Sequence, residues 1–97
     1  MKRKLLPLTT PGEVLNEDFL IPLGVTQYRL AKDIGISARR INEIVLGKRA
    51  ITPDTALRLG KYFGMTPQFW MNLQADYDLR RAAASARLGK IKPRSPA

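Results

Sequence analysis

The middle of the chain holds two short helical patterns joined by a glycine turn, and this spacing limits the fold more than any other feature of the sequence. Thr26 and Ser37 stand at N-cap positions, where a side-chain hydroxyl accepts a hydrogen bond from a free N–H of the first turn. Gly35 and Gly47 stand where each helix has to end, at positions that favour a positive φ. The predicted helices are Gln27 to Asp33 and Ala38 to Leu46.

The apolar residues of this stretch recur at helical spacing, which predicts that they face inward. They are Leu30, Ala31, Ile34, Ile36, Ile41, Ile44 and Val45. The opposite face of the second helix is polar and carries residue types that meet base edges and phosphates in a major groove. Two helices joined by a three- to four-residue turn with glycine form the helix-turn-helix pattern. From the spacing alone, an ordinary helical hairpin with a solvated polar face stays open as an alternative.

The composition limits the kinds of function that the chain can have. The chain has 97 residues, enough for one domain with a modest core. It has no cysteine and no histidine, so thiolate metal sites and the commonest general base are absent and catalysis is disfavoured. A formal charge of +9 fits a polyanionic partner, above all nucleic acid, although a basic soluble protein without such a partner stays open. Without an apolar run of the ~18 residues that a membrane span needs, we expect a cytoplasmic protein.

Three Thr-Pro pairs predict further helix starts, because threonine caps the helix and proline suits its first position. The pairs are Thr10-Pro11, Thr52-Pro53 and Thr66-Pro67. The helix that begins at Pro11 is predicted to end near Leu20, before Pro22 and Gly24. The helices that begin at Pro53 and Pro67 are predicted to end at Phe63 and near Leu88. The expected buried stripe of the first is Val14, Leu15 and Phe19. That of the second is Ala56, Leu57, Leu59 (in part) and Phe63, and that of the third is Phe69, Trp70, Leu73 and Tyr77. The predicted organisation is a flexible basic segment over 1–10, one domain over 11–88 and a disordered basic tail over 89–97.

Charge is distributed unevenly along the chain. Residues 26–64 carry eight Lys or Arg against three acids, a net charge of +5, whereas residues 11–21 carry three acids and no cation. The pair Lys48 and Arg49, just after the second motif helix, is placed for phosphate contacts, and a solvated loop is the alternative. The acids Glu13, Glu17 and Asp18 complement the helix dipole and also offer a surface to a basic protein. Trp70, Leu73 and Tyr77 are expected in the core, and part of this surface is a candidate dimer contact.

Four segments together carry a family resemblance. They are Pro11-Gly12-Glu13-Val14-Leu15, Thr26-Gln27-Tyr28-Arg29-Leu30-Ala31, Ala50-Ile51-Thr52-Pro53-Asp54-Thr55-Ala56-Leu57-Arg58-Leu59 and Phe69-Trp70-Met71-Asn72-Leu73-Gln74. This combination resembles the HigA-type antitoxins of the Xre/Cro-repressor-like helix-turn-helix family. The resemblance implies an all-α, five-helix lambda-repressor-like domain with an extended C-terminal helix, which forms a homodimer on operator DNA. It also implies neutralisation of a HigB- or RelE-like mRNA endonuclease toxin and repression of the protein's own operon, with no cofactor. A stand-alone repressor without a toxin and a pure protein-interaction module are the alternatives.

The resemblance also implies roles for individual residues. Ser37, Ala38, Arg39, Asn42 and Glu43 fall on the face that reads bases. Thr26, Gln27 and Arg40 join Lys48 and Arg49 as phosphate contacts. The guanidinium fork of Arg39 matches guanine O6 and N7, which makes it the leading base contact, while Ala38 is small enough to meet a thymine methyl group.

Overall fold

Five helices make up all the regular secondary structure in the computed structural model, which describes residues 9–94. They are α1 (residues 11–23), α2 (Gln27–Ile34), α3 (Ala38–Val45), α4 (Pro53–Phe63) and α5 (Pro67–Ser85). The bounds of α2 and α3 agree with the predicted ones to within one residue, and α5 ends three residues earlier than predicted, where Ala86 turns extended. Most of the predicted segment 1–10 and the last three residues of the predicted tail lie outside the described part of the chain. Among residues 9–94, no helix is both long and apolar enough to cross a membrane.

Helix α1 is continuous but changes its hydrogen-bonding pattern twice. It consists of an α-helical turn at Pro11–Val14, a π-helical stretch at Leu15–Leu20 and an α-helical end at Ile21–Leu23. In the π stretch the bonds span five residues, and the Ile21 N–H donates to the carbonyl oxygen of Asn16. The predicted end near Leu20 was three residues early, because Pro22 lies in the first turn of the closing segment, where its missing N–H is tolerated. Gly24, which was predicted together with Pro22 as the end of this element, does end the helix, at φ 66°.

Four of the five helices begin at a hydroxyl cap. Thr10, Thr26, Ser37 and Thr52 each accept a hydrogen bond from the backbone N–H three residues later. At Thr10 the cap is reciprocal, because the carboxylate of Glu13 accepts the Thr10 N–H at 2.8 Å. The hydroxyl of Thr66 makes no such bond, so the start of α5 depends on Pro67 and on a backbone bond from Phe69 N–H to the Thr66 carbonyl.

One apolar core joins all five helices. Its buried residues are Leu15, Leu20, Leu30, Ala31, Ile34, Ile36, Ile41, Ile44, Ile51, Ala56, Leu59 and Trp70. The prediction of Leu57 as a core residue was wrong, because its side chain is 60% exposed whereas Leu59 is fully buried. The buried face of α4 runs through Thr55, Ala56, Leu59 and Gly60, and Leu57 lies off that face at about 100° of rotation per residue.

The second half of the molecule closes on an aromatic cluster. The ring of Trp70 is fully buried, and its centroid lies 4.9 Å from that of Phe19 and 5.0 Å from that of Phe69. Phe19 also lies 5.0 Å from Phe63, so the cluster joins α1, α4 and α5. Such tilted and edge-to-face pairs add to the area that the rings bury. Beyond Tyr77, every described residue of α5 is exposed, and the described part of the chain reaches 52 Å in its longest dimension.

Candidate nucleic-acid interface

Helix α3 is anchored by one face and presents the other to solvent. Ile41 and Ile44 are 0% and 1% exposed, so the helix is held on the core by two buried side chains one turn apart. Of the predicted base-reading residues, Ser37, Ala38, Arg39 and Asn42 are exposed and Glu43 is half-buried. The structure therefore leaves all five at least partly accessible on α3 and at its N-cap.

The two hydroxyl caps lie at the starts of the helix-turn-helix helices. Thr26 Oγ1 accepts from Arg29 N–H at 3.0 Å, and Ser37 Oγ accepts from Arg40 N–H at 3.1 Å. Capping uses one acceptor site of each oxygen, and each hydroxyl retains its own O–H donor. Both residues are exposed, so these donors remain able to reach a phosphate oxygen.

A side-chain hydrogen bond ties the two helices together at this surface. The amide nitrogen Nδ2 of Asn42, on α3, donates to Oε1 of Gln27, at the start of α2, at 3.1 Å. Gln27 was predicted as a phosphate contact and Asn42 as a base contact, and nothing in the sequence joined them. The bond fixes the position of each amide relative to the other before any ligand arrives.

The turn between the two helices is held from behind by α4. The guanidinium Nη1 of Arg58 donates to the carbonyl oxygen of Ile34 at 2.7 Å, which satisfies a free carbonyl at the end of α2. The hydroxyl of Tyr62 donates to Asp33 Oδ2, also at 2.7 Å. That hydrogen bond, followed by the charge of Arg29, lowers the pKa of the Asp33 carboxyl. Helix α4 thus acts as a rigid support for the turn.

Glu43 connects two cations of the exposed surface. Its carboxylate accepts from Arg49 Nε at 2.9 Å and from Arg39 Nε at 3.3 Å. The Arg49 hydrogen bond, with a smaller effect from Arg39, lowers the pKa of Glu43. The side chain of Arg39 is 88% exposed, so the pairing leaves its guanidinium open to an incoming base. Such exposed pairs are weak, and a DNA ligand can replace them at little cost.

Replacing Arg49 by glutamine should raise the pKa of Glu43 towards the ordinary glutamate value, because the main hydrogen bond that favours the carboxylate is removed. As the folded-state pKa is lowered, this pairing stabilises the fold above the ordinary pKa, and the stabilisation is lost as the pH falls through the lowered value. An NMR titration of the side-chain carboxyl measures the change. Arg80→Gln is the matched control, because Arg80 pairs with Asp76 on α5 and the change removes the same charge away from Glu43. A Glu43 pKa that is equal in the parent and in Arg49→Gln would contradict the pairing.

The loop after α3 carries the predicted phosphate contacts. Gly47, at φ 78°, turns the chain out of α3, and Lys48 and Arg49 that follow are exposed. The Lys48 N–H donates to the carbonyl oxygen of Glu43 at 2.8 Å, so the backbone of the loop is fixed to the end of the helix. Arg40, the remaining predicted phosphate contact, is half-buried at the side of α3.

Gln74 is a site residue that the sequence reasoning missed. Its side chain is 7% exposed, and its Oε1 accepts the backbone N–H of Ile51 at 2.8 Å, which ties the loop to α5. Its Nε2 donates to Asp78 Oδ1 at 3.0 Å. A signal was present in the sequence, because Gln74 is a polar residue one turn after Trp70 in a buried stripe. Buried polar groups are almost always hydrogen-bonded, so it needed a partner.

The residues predicted to contact a toxin and those predicted to contact a second copy lie at two separate places. Glu17 and Asp18 are exposed on the π stretch of α1, whereas Glu13 is engaged in the cap at Thr10. For the candidate dimer contact, the assignment of Trp70 was wrong, because the ring is enclosed within a single chain. Leu73 and Tyr77, on the same helix, are half-buried and keep part of their surface open.

The chain is similar in sequence and in structure to helix-turn-helix proteins, several of them antitoxins. The pattern that defines the helix-turn-helix family matches residues 17–70. Virulence-associated protein I of Dichelobacter nodosus is 51% identical over 77 residues, which cover 79% of this chain and 71% of that protein. The antitoxin HigA of Pseudomonas aeruginosa, solved with the higBA promoter, has a TM-score of 0.78 and 42% identity, covering 80% of this chain and 85% of that one. An addiction module antidote protein of a HigA family from Coxiella burnetii has a TM-score of 0.82 and 39% identity, covering 91% of this chain and 99% of that one.

Proposed function

Since the chain belongs to the helix-turn-helix family, and within it to the HigA-type antitoxins, we propose that it is a DNA-binding antitoxin that represses its own operon. The single observation that carries the proposal is the face of α3, which offers Arg39, Asn42 and Glu43 outward from a firmly packed helix. A HigA antitoxin with 42% identity was solved with promoter DNA, which supports the same role here. The proposed role is one of binding rather than catalysis, and it is exercised in the cytoplasm on the operator.

The proposed DNA-binding form is a homodimer. In helix-turn-helix dimers the two recognition helices enter successive major grooves about 34 Å apart, so the operator is a pseudo-palindrome. Leu73 and Tyr77, half-buried on α5, are the proposed contacts between the two copies. Aromatic side chains with one open face are favoured at such interfaces.

The proposed contacts divide by chemistry. Arg39, with its exposed guanidinium, reads guanine, and the methyl group of Ala38 meets thymine. Ser37, Asn42 and Glu43 complete the base-reading set. The phosphate contacts are Thr26, Gln27, Arg40, Lys48 and Arg49, which fix the register of the helix in the groove without reading sequence.

Arg39→Ala should weaken operator binding by about 1–3 kcal/mol per half-site and relax specificity at one base pair, because a two-pronged donor to guanine is lost. Competition binding against operators changed at single positions measures both effects. Lys61→Ala is the control for loss of one charge, since Lys61 is an exposed cation near the far end of α4. An Arg39→Ala protein that binds the native operator as tightly as the parent would remove the base-reading role.

Titration of the full chain onto the DNA upstream of its own gene, at two salt concentrations, tests the DNA half of the proposal. We expect affinity that falls steeply with salt and a preference over a scrambled duplex. Co-purification of the protein encoded beside it tests the toxin half. DNA binding without a co-purifying partner would favour a stand-alone repressor, and no salt-sensitive affinity for any duplex would favour a protein-interaction module.

The acidic surface of α1 is the proposed toxin contact, since a basic endonuclease would be attracted to Glu13, Glu17 and Asp18. The double variant Glu17→Lys with Asp18→Lys should weaken toxin neutralisation at least tenfold, since two attractive charges become repulsive. Glu13 is left unchanged because it caps the helix. Rescue of growth in cells that express the toxin measures the effect, with Asp76→Lys as a control for a single charge reversal on α5. Full neutralisation by the double variant would locate the toxin elsewhere.

A further inference from the structure

The last part of the described chain is strongly basic and is not used by the proposed site. Between Leu79 and Arg94 there are six cations and no acid. They are Arg80, Arg81, Arg87, Lys90, Lys92 and Arg94. We call these six residues the C-terminal cations. All six are exposed, and Arg80 forms an ion pair with Asp76 at 3.1 Å.

Helix α5 brings Arg81, one of these six cations, next to the loop that carries the proposed phosphate contacts. Gln74 fixes the helix to the loop through its 2.8 Å hydrogen bond to Ile51 N–H. Two turns further along α5, Arg81 lines the same surface cavity as Lys48 and Arg49. Asp78 also lines this cavity, and it accepts a hydrogen bond from Gln74 Nε2 at 3.0 Å. The cations of the loop are therefore followed on α5 by Arg81, and the C-terminal cations from Arg87 to Arg94 extend the basic surface beyond Ser85.

We propose that the C-terminal cations are a second DNA-contacting surface, which binds backbone phosphates next to those bound by Lys48 and Arg49. The inference rests on the proposed function, because it assumes that the loop faces DNA. A chain of phosphates is the partner that a run of cations without acids fits, since each neutralised phosphate releases condensed counterions. An acidic protein partner fits less well, because no aromatic residue follows Tyr77 in the described chain to act as an interface anchor.

The surface has a rigid part and an extended part. Arg81 lies on a helix that is fixed to the loop, so its distance from Lys48 and Arg49 is set by the fold. Arg87, Lys90, Lys92 and Arg94 lie in a non-helical segment that begins at Ala86. The rigid part should add a phosphate contact at a fixed place, and the extended part should follow the backbone without selecting sequence.

The test uses the full chain with charges removed at these positions. One variant is Arg81→Gln, and the other combines Arg87→Gln, Lys90→Gln, Lys92→Gln and Arg94→Gln. The slope of log affinity against log salt is measured on the upstream duplex and on a scrambled duplex of the same length. We expect the slope to become shallower by about 0.9 for each lost phosphate contact, while the preference for the upstream duplex is unchanged within about twofold.

Two controls distinguish the loss of a phosphate contact from a general effect of net charge and from a loss of stability. The variant Lys32→Gln with Lys61→Gln removes two exposed cations from α2 and α4, and it should leave the slope close to that of the parent. Unfolding followed by Trp70 fluorescence should give parental midpoints for both test variants, because the substituted side chains are all exposed. If the control variant flattened the slope as much per charge removed as the test variants do, the effect would be one of net charge and the inference would be overturned.

The other outcomes are equally decisive. Parental slopes in both test variants would overturn the inference while leaving the proposed function intact. A shallower slope together with loss of the preference for the upstream duplex would mean that the segment reads sequence, which also contradicts phosphate contact alone. If the parent chain binds neither duplex, the proposed function fails first, and this inference fails with it.

Discussion

Gly12→Ala should lower the free energy of unfolding by about 3 kcal/mol or more, although alanine is normally the better helix former. Gly12 lies in the first turn of α1, where the helix crosses the C-terminal end of α3. A Cβ atom there would overlap the carbonyl oxygen of Ile44 and come within 2.7 Å of its carbonyl carbon and 2.9 Å of Val45 Cα. These are backbone atoms of the helix that presents the proposed DNA-binding face, so they cannot move aside as a flexible side chain would.

Urea unfolding followed by the fluorescence of the single tryptophan measures this loss of stability. Gly89→Ala is the matched control, because a Cβ at Gly89 meets no atom within 4 Å. We expect the control to unfold at the parental urea concentration. If Gly12 lacked this contact with α3, its change to alanine within a helix would instead stabilise the protein by about 1 kcal/mol. A stabilised Gly12→Ala protein would show that α1 does not approach α3 this closely.

Trp70→Ala should cost about 3–5 kcal/mol, which is the range for removing a large aromatic side chain from a core. The ring is 0% exposed and contacts the rings of Phe19, Phe63 and Phe69, so its loss leaves a cavity where α1, α4 and α5 meet. Circular dichroism during thermal unfolding measures the effect without the fluorophore. We expect the loss to be independent of protein concentration, since the ring acts within one chain; a cost that appeared only on dilution would restore Trp70 to the dimer interface.

Trp70→Phe should cost much less, under about 2 kcal/mol, although it also removes ring atoms. The indole Nε1 is buried and has no hydrogen-bond partner among the described residues. An unpaired buried donor carries a desolvation cost, and phenylalanine removes that cost while it keeps an aromatic face in the cluster. Equal losses for the alanine and phenylalanine variants would indicate that the indole N–H is satisfied in solution.

The features that the sequence predicted well depend on neighbouring residues alone. Thr26 and Ser37 cap helices and Gly35 and Gly64 end them because the hydroxyl or the missing Cβ acts on the adjacent backbone. The same holds for the outward face of α3, which follows from helical phase once Ile41 and Ile44 are buried. Helix starts, the core of the motif and the direction of its polar face were therefore predictable.

The features that the sequence did not predict depend on which elements meet. Leu57 is exposed because α4 buries the face of Thr55 and Leu59, and only the neighbouring helices decide that choice. The link from Gln74 to Ile51 N–H joins residues 23 positions apart. The bridge from Glu43 to Arg49 depends on the path of the loop after Gly47. The DNA, toxin and dimer contacts of individual residues remain predictions for the same reason, since each depends on a second molecule.

The π-helical stretch of α1 has a consequence for how related chains should be compared. Its wide turn absorbs one residue more than an α-helical turn of the same height, so the flanking segments Pro11–Val14 and Ile21–Leu23 keep the phase of an uninterrupted helix that is one residue shorter. A homologue that lacks one residue here would still direct its counterpart of Gly12 at α3. An alignment that opens a one-residue gap inside this helix is therefore structurally sound, and the gap does not signal a different fold.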